Sequence, residues 1–240
     1  PLPVHSAYRL HTRLFAHEMV SGDTYHVEAD DSGRLRIVLA DAMGHGFSAG
    51  LLTTVLHGYL PRLPMIDPPD AVLTALNDIL AKISGNSYMT ALCLTLDTNG
   101  DVELASAGHP YPLCSTPLGI EFPPPGQALG LFEEVHAAPE TVKFKLPVGG
   151  KLLLYTDGIT EWRESDEHDE FGRHRLADVF IGNAQRSPEA LAERLVEAAQ
   201  EYAQSARPRD DLSLLVIEHI SSQMRQAHQP NEDSHGDQRA

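Results

Sequence analysis

Two pairs of short apolar runs, each joined by strong turn chemistry, do most to limit what this chain can fold into. Residues 24–29 and 35–40 flank DDSG, and residues 88–96 and 102–106 flank DTNGD. Asp/Asn/Gly clusters between such runs predict two antiparallel hairpins. Further strands are expected over 151–156, after PVGG, and over 212–218. Three segments with three- and four-residue apolar spacing predict helices. The first, 49–59, carries Leu51, Leu52, Val55, Leu56 and Tyr59. The second, 69–83, carries Val72, Leu73, Leu76, Ile79, Leu80 and Ile83 after a proline suited to a first turn. The third opens on Ser187-Pro188-Glu189, a cap and a first turn, and runs through Leu191, Leu195 and Ala198 to Tyr202. Hairpins plus separate helices predict an α+β fold with antiparallel sheets. The Pro- and Gly-rich stretch 108–130 reads as a surface connection.

The chain has 240 residues, 42% of them hydrophobic, enough for one large domain with a substantial core. Residues 1–20 read as a linker or edge segment, 21–220 as the folded domain, and 221–240, with little apolar content, as a disordered tail. The sequence starts at Pro1 without methionine, so upstream domains are expected. There are 18 Lys+Arg against 34 Asp+Glu, or 18 − 34 = −16. That charge argues against a nucleic-acid or anionic-membrane binder, since phosphate backbones need positive surface. Cys93 and Cys114 form no C-x-x-C motif, and a reducing, cytoplasmic compartment fits. Cys93 lies in an apolar run and reads as a small buried hydrophobe. No run approaches a membrane span, and no signal peptide opens the chain.

Aspartates stand at the ends of the expected strands. Asp23 precedes the first strand, Asp41 follows the second, Asp157 follows the 151–156 strand, and Asp210 and Asp211 precede the last. In an antiparallel sheet the start of one strand and the end of its neighbour share an edge, so these carboxylates are expected to converge on one rim. Asp23, Asp41 and Asp157 each neighbour glycine or alanine, which permits close backbone approach. Taken singly, a strand-end Asp is a turn former or a helix cap, and Asp67, Asp97 and Asp101 are read that way. Clustered carboxylates raise one another's pKa unless a cation binds them. Hard oxygen donors suit Mg²⁺ or Mn²⁺, and no H-E-x-x-H or Cys/His spacing offers zinc. Two such ions about 3.5–4 Å apart generate a bridging hydroxide and stabilise in-line phosphoryl displacement.

The ordered set SGD, DAMGHG, MTALCLTLD, AGHP, LLLYTDGITE, FG and RDDLSLLVI, spanning about Ser21 to Glu218, resembles the SpoIIE/RsbU-type serine phosphatases. These are the bacterial branch of the metal-dependent protein phosphatases of class 2C. The resemblance implies an αββα sandwich of two antiparallel sheets flanked by helices, with two Mn²⁺ or Mg²⁺ ions at one end. It implies hydrolysis of phosphoserine or phosphothreonine on a regulatory protein, typically a phosphorylated STAS-domain anti-sigma-factor antagonist in partner switching. Asp41 would bridge both metals, the backbone carbonyl of Ala42 would contact one, Asp157 and Asp210 would bind the other, and Asp23 would act on the second metal. Asp41 and Asp157 are the expected catalytic residues, with Asp211 second to Asp210. Ser21 and Ala42 stand where family members often carry glycine. Upstream regulatory domains and dimerisation are also implied.

His45 and His109 could protonate a leaving serine oxygen, but each is read first as a loop anchor. Glu161 is read as structural. Trp162 is expected at the surface of its loop, and 164–170 as a solvated acidic loop. Arg34, Arg36 and Arg209 are the arginines nearest the motifs, so the metals are expected to carry most phosphate recognition. The competing reading is a catalytically silent pseudophosphatase that binds proteins. A phosphodiesterase would add histidine ligands that the motifs lack.

Overall fold

The computed structural model describes residues 2–17, 21–44, 47–83, 87–132, 138–204 and 207–220. The strands are β1 Tyr8–Phe15, β2 Asp23–Ala29, β3 Leu35–Ala42, β4 Met89–Leu96, β5 Asp101–Ala107, β6 Leu113–Cys114, β7 Val142–Lys145, β8 Lys151–Tyr155 and β9 Leu212–His219. The helices are α1 Phe47–Tyr59, α2 Pro69–Ile83, the single turn α3 Asp157–Thr160, α4 Gly172–Gly182 and α5 Pro188–Ala203. A 3-10 turn, Leu60–Arg62, follows α1.

The strands form two antiparallel sheets, ordered β1-β9-β8-β6 and β2-β3-β4-β5-β7. Both expected hairpins are present, β2–β3 and β4–β5. Side-chain alternation along the strands builds three apolar layers. In β3, Ile37 and Leu39 face the space between the sheets, while Val38 and Ala40 meet α1 and α2. In β8, Leu152 and Leu154 face that same space, while Leu153 and Tyr155 meet α4 and α5. Strands covered on both faces carry unbroken apolar runs, which explains why these segments read so clearly. Two antiparallel sheets packed face to face with helices outside make the expected αββα sandwich.

Several elements were not legible. The linker-or-edge segment contains an edge strand, β1, paired with β9 from Tyr8↔His219 to Phe15↔Leu212. The 108–130 connection carries the two-residue β6, paired to β8, and isolated bridges from Gly126 and Leu129 back to the five-stranded sheet. Helix α4 buries only Leu176 and Phe180, too few apolar positions to betray its period. Trp162 is not at the surface: it is 1% exposed and sits in the layer under α4 and α5 with Ile159 and Phe171. Cys93 is buried as expected.

Candidate metal centre

One end of the sandwich collects the strand-end aspartates. Asp23 and Asp41 are direct cross-strand partners in the β2–β3 register. Asp41 shares the parity of Ile37 and Leu39, so its side chain continues the inter-sheet face to the rim. From the other sheet, Thr156 follows Leu154 at the same parity, and Ser213 precedes Leu215. The two sheets thus meet at this rim with polar residues in place of leucines.

Asp23 is fastened across the gap. Thr156 Oγ1 donates to Asp23 Oδ2 at 2.7 Å and accepts from the Ser213 amide at 2.9 Å. The Ser213 hydroxyl is buried without a partner in standard hydrogen-bond geometry, yet lies close enough to favour the ionised Asp23. Burial nevertheless pushes Asp23 up to about 7, with Asp211 and Asp157 adding to the rise. Burial pushes Asp41 up to about 8, and the carboxylates of Asp23, Asp157, Asp210 and Asp211 push in the same direction. Asp157 is raised by burial and then by Asp210. Glu161 is raised by burial, then by Asp157, Glu170 and Asp210. These groups feel one another as like charges in a partly desolvated site.

Glycines bring the backbones into reach. A Cβ on Gly158 would lie 2.0 Å from the Asp211 carbonyl oxygen, so only glycine lets the turn after Asp157 lie against the Asp210-Asp211 segment. A Cβ on Gly22 would lie 2.8 Å from the Ala42 carbonyl oxygen. The chain before Asp23 therefore runs directly beside the Ala42 carbonyl, and the Ala42 amide donates to Gly22 O at 3.1 Å.

Asp210 and Asp211 part company. Asp211 is 6% exposed, and its two oxygens accept the His17 and Gly22 amides at 2.7 and 2.6 Å. It ties together the two ends of the connection from β1 to β2. Asp210 is exposed, accepts the Asp211 amide at 2.8 Å, and acts on Asp41 and Asp157.

His109 is buried. Its Nε2 faces the Tyr155 carbonyl at 3.1 Å and so donates, which leaves Nδ1 to accept from Thr90 Oγ1 at 2.8 Å. Burial lowers its pKa to about 4. It is a neutral strut between the sheets, linking Asp41's register partner Thr90 to the strand that ends before Asp157. His45 lies outside the described residues, as does 221–240.

No three His, Cys, Asp or Glu side chains among the described residues are drawn into a closed ion-holding group. The charge that these carboxylates feel from one another is what a divalent cation would relieve. The donor set is entirely oxygen and fits Mg²⁺ or Mn²⁺. Thr156, Ser213, Gly22 and Gly158 complete the site. The sequence signal for the first two was a polar residue at inward parity beside each motif aspartate.

Residues 31–220 match the family model for Stage II sporulation protein E (SpoIIE). Over 211 residues the chain is 26% identical to phosphoserine phosphatase RsbP of Bacillus subtilis (strain 168), covering 83% of this chain and 49% of RsbP. The chain thus spans about half the length of that relative. Its fold is similar to the SiaA-PP2C domain of Pseudomonas aeruginosa, at a TM-score of 0.75 and 19% identity over 88% of this chain and 86% of that one. It is also similar to RsbX in complex with magnesium, at a TM-score of 0.66 and 15% identity over 91% of this chain and 98% of that one. No helix among the described residues is long and apolar enough to cross a membrane. The family match takes in most of the chain, and the protein belongs to the SpoIIE family.

Proposed function

We propose that this chain is a metal-dependent protein serine/threonine phosphatase that hydrolyses phosphoserine or phosphothreonine on a regulatory protein. The observation that carries this reading is the Asp23–Asp41 register pair, joined at the same rim by Asp157 and Asp210. Asp41 and the Ala42 carbonyl, with Asp23, Asp157 and Asp210, would hold two Mn²⁺ or Mg²⁺ ions. Bound there, the ions would supply a water-derived nucleophile and neutralise charge on the transferring phosphoryl group.

The chain's own residues do the positioning. Strand β3, paired on both sides, holds the Asp41 carboxylate rigidly at the rim. Thr156 orients Asp23, and Gly158 sets Asp157 beside Asp210. His109 is not a proton donor to substrate, since both ring nitrogens are engaged in the core. Support for a phosphoserine substrate comes from RsbP, named a phosphoserine phosphatase. A phosphorylated STAS-domain protein in the cytoplasm is the substrate we propose, with an upstream regulatory domain and dimerisation in the full-length protein.

The test is hydrolysis of an aryl phosphate with Mn²⁺, with Mg²⁺ and with chelator, beside Asp41→Asn and Asp157→Asn. Metal-dependent turnover lost in both variants is expected. Absence of both turnover and calorimetric metal binding would leave the fold as a protein-binding module.

A further inference from the structure

Of the three arginines nearest the motifs in sequence, only Arg209 stands at the rim. Arg34 pairs with Glu103 at 3.2 Å, well along the strands. Arg36 is wholly buried, and its guanidinium donates to the carbonyls of Leu60, Leu63 and Pro64. Neither can meet a ligand at the rim. Arg209, immediately before Asp210, does stand there, and Arg163 joins it from the turn after α3. Both converge on one carboxylate oxygen: Arg163 Nη2 lies 3.4 Å from Asp166 Oδ1, and Arg209 Nη1 donates to the same atom. Arg163 also pairs with Glu170 through Nη1, while its Nε has no hydrogen-bond partner. Arg163 acts on Glu161, whose other neighbours are Asp157 and Asp210, which puts the pair beside the carboxylate cluster.

The Asp166 side chain is 81% exposed on a loop, against 27% and 44% for the two arginines. Exposed ion pairs of this kind contribute only about 0–1 kcal/mol. A phosphoryl dianion offers three oxygens to two forked guanidiniums, a better match than one carboxylate oxygen. It also needs local positive charge to approach a rim that is otherwise acidic.

We propose that Arg163 and Arg209 form an oxyanion subsite for a phosphoryl group at the edge of the carboxylate cluster, and that Asp166 fills it until displaced. The source of that phosphoryl group, a phosphoprotein, rests on the phosphatase reading; the affinity for phosphate itself does not. Asp166 is then a resident competitor, and removing it strengthens binding.

The experiment is calorimetric titration of inorganic phosphate, at constant Mg²⁺, into the wild type, Asp166→Ala, Arg209→Ala and Arg163→Lys, with thermal melts to confirm folding. Asp166→Ala should bind phosphate about 2- to 5-fold more tightly. Arg209→Ala should bind about tenfold more weakly, with Arg163→Lys in between. Arg209 is exposed, so its variant carries the test even if the Arg163 variant misfolds. Unchanged affinities, weaker binding by Asp166→Ala, or no phosphate binding by the wild type would each overturn the subsite. Wild-type turnover of aryl phosphate alongside unchanged phosphate affinities would sink the subsite and leave the phosphatase reading standing. A raised KM for a phosphoprotein alone, with phosphate affinity unchanged, would assign the arginines to protein carboxylates and also overturn it.

Discussion

Thr156, at the end of β8, donates its hydroxyl to Asp23 across the gap between the two sheets at 2.7 Å. The same oxygen accepts the Ser213 amide, so one hydroxyl joins β8, β9 and the start of β2. Thr156→Val keeps the shape and removes both bonds in a fully buried position. A loss of about 2–4 kcal/mol is expected from urea denaturation, since a carboxylate and an amide lose their partner. Thr156→Ser should recover most of it, together with metal affinity. Equal stability of the Val variant would remove Thr156 from the site.

The carboxylate cluster makes the metal-free protein lose stability as pH rises, and makes the gain from a bound metal grow with pH. Asp23 and Asp41 are raised from 3.8 to about 7 and about 8. A folded-state pKa above the unfolded value contributes stability below about pH 4 and loses it as pH rises through 7–8. In chelator, the melting temperature should therefore fall between pH 5.5 and 8.5 through these groups. Mg²⁺ should raise it most at pH 8.5. Calorimetry in buffers of different ionisation enthalpy should show protons released on metal binding at pH 7 and fewer at pH 9.

His109 works with the opposite sign. Its pKa is lowered from 6.5 to about 4, so it favours the fold fully above pH 6.5 and loses that contribution as pH falls toward 4. His109→Ala should cost about 2–4 kcal/mol at pH 7, because it leaves Thr90 and the Tyr155 carbonyl without their partner. The variant should also lose less stability than the wild type between pH 7 and 5. Urea midpoints at the two pH values decide this, and a parallel decline would contradict it.

Two glycines predict contrasting outcomes. Gly158→Ala places a Cβ 2.0 Å from the Asp211 carbonyl oxygen, a clash with backbone that forces the Asp157 turn away from Asp210. Severe destabilisation, above about 3 kcal/mol, and loss of metal binding are expected. Gly182→Ala meets nothing within 4 Å near the end of α4 and should be neutral or stabilising by up to about 1 kcal/mol. Thermal melts of both variants check the pair.

Trp162 is the only tryptophan and is fully buried one turn beyond Asp157. Trp162→Ala should cost about 3–5 kcal/mol. In the wild type, Trp162 fluorescence should report unfolding of the layer under α4 and α5, with a transition coincident with circular dichroism.

The elements easiest to read were those whose environment imposes one pattern along the chain. Strands β3, β4 and β8 are covered on both faces, and their unbroken apolar runs show it. Helix α2 buries one stripe, and its periodicity gave its bounds as 69–83, as observed. Strand β1 was ambiguous because an edge strand with a half-exposed face carries arginines and a histidine among its apolar residues. Helix α4 has two buried side chains, Leu176 and Phe180, which define no period in the sequence. A polar loop follows Trp162 in sequence, which points to the surface, while Ile159 and Phe171 share its buried layer in space.

The chain by itself determined the antiparallel hairpins, the helices with a full apolar stripe, and the presence of aspartates at strand ends, because turn chemistry and burial periodicity act over a few residues. Only the tertiary structure decided which of those aspartates face one another. It separated Asp210, open at the rim, from Asp211, consumed by two backbone amides. It took Arg36 into the core and brought Arg163 to Arg209. Those outcomes depend on strand parity, register and the approach of two sheets, which are contacts between residues more than a hundred positions apart in the case of Asp23 and Thr156.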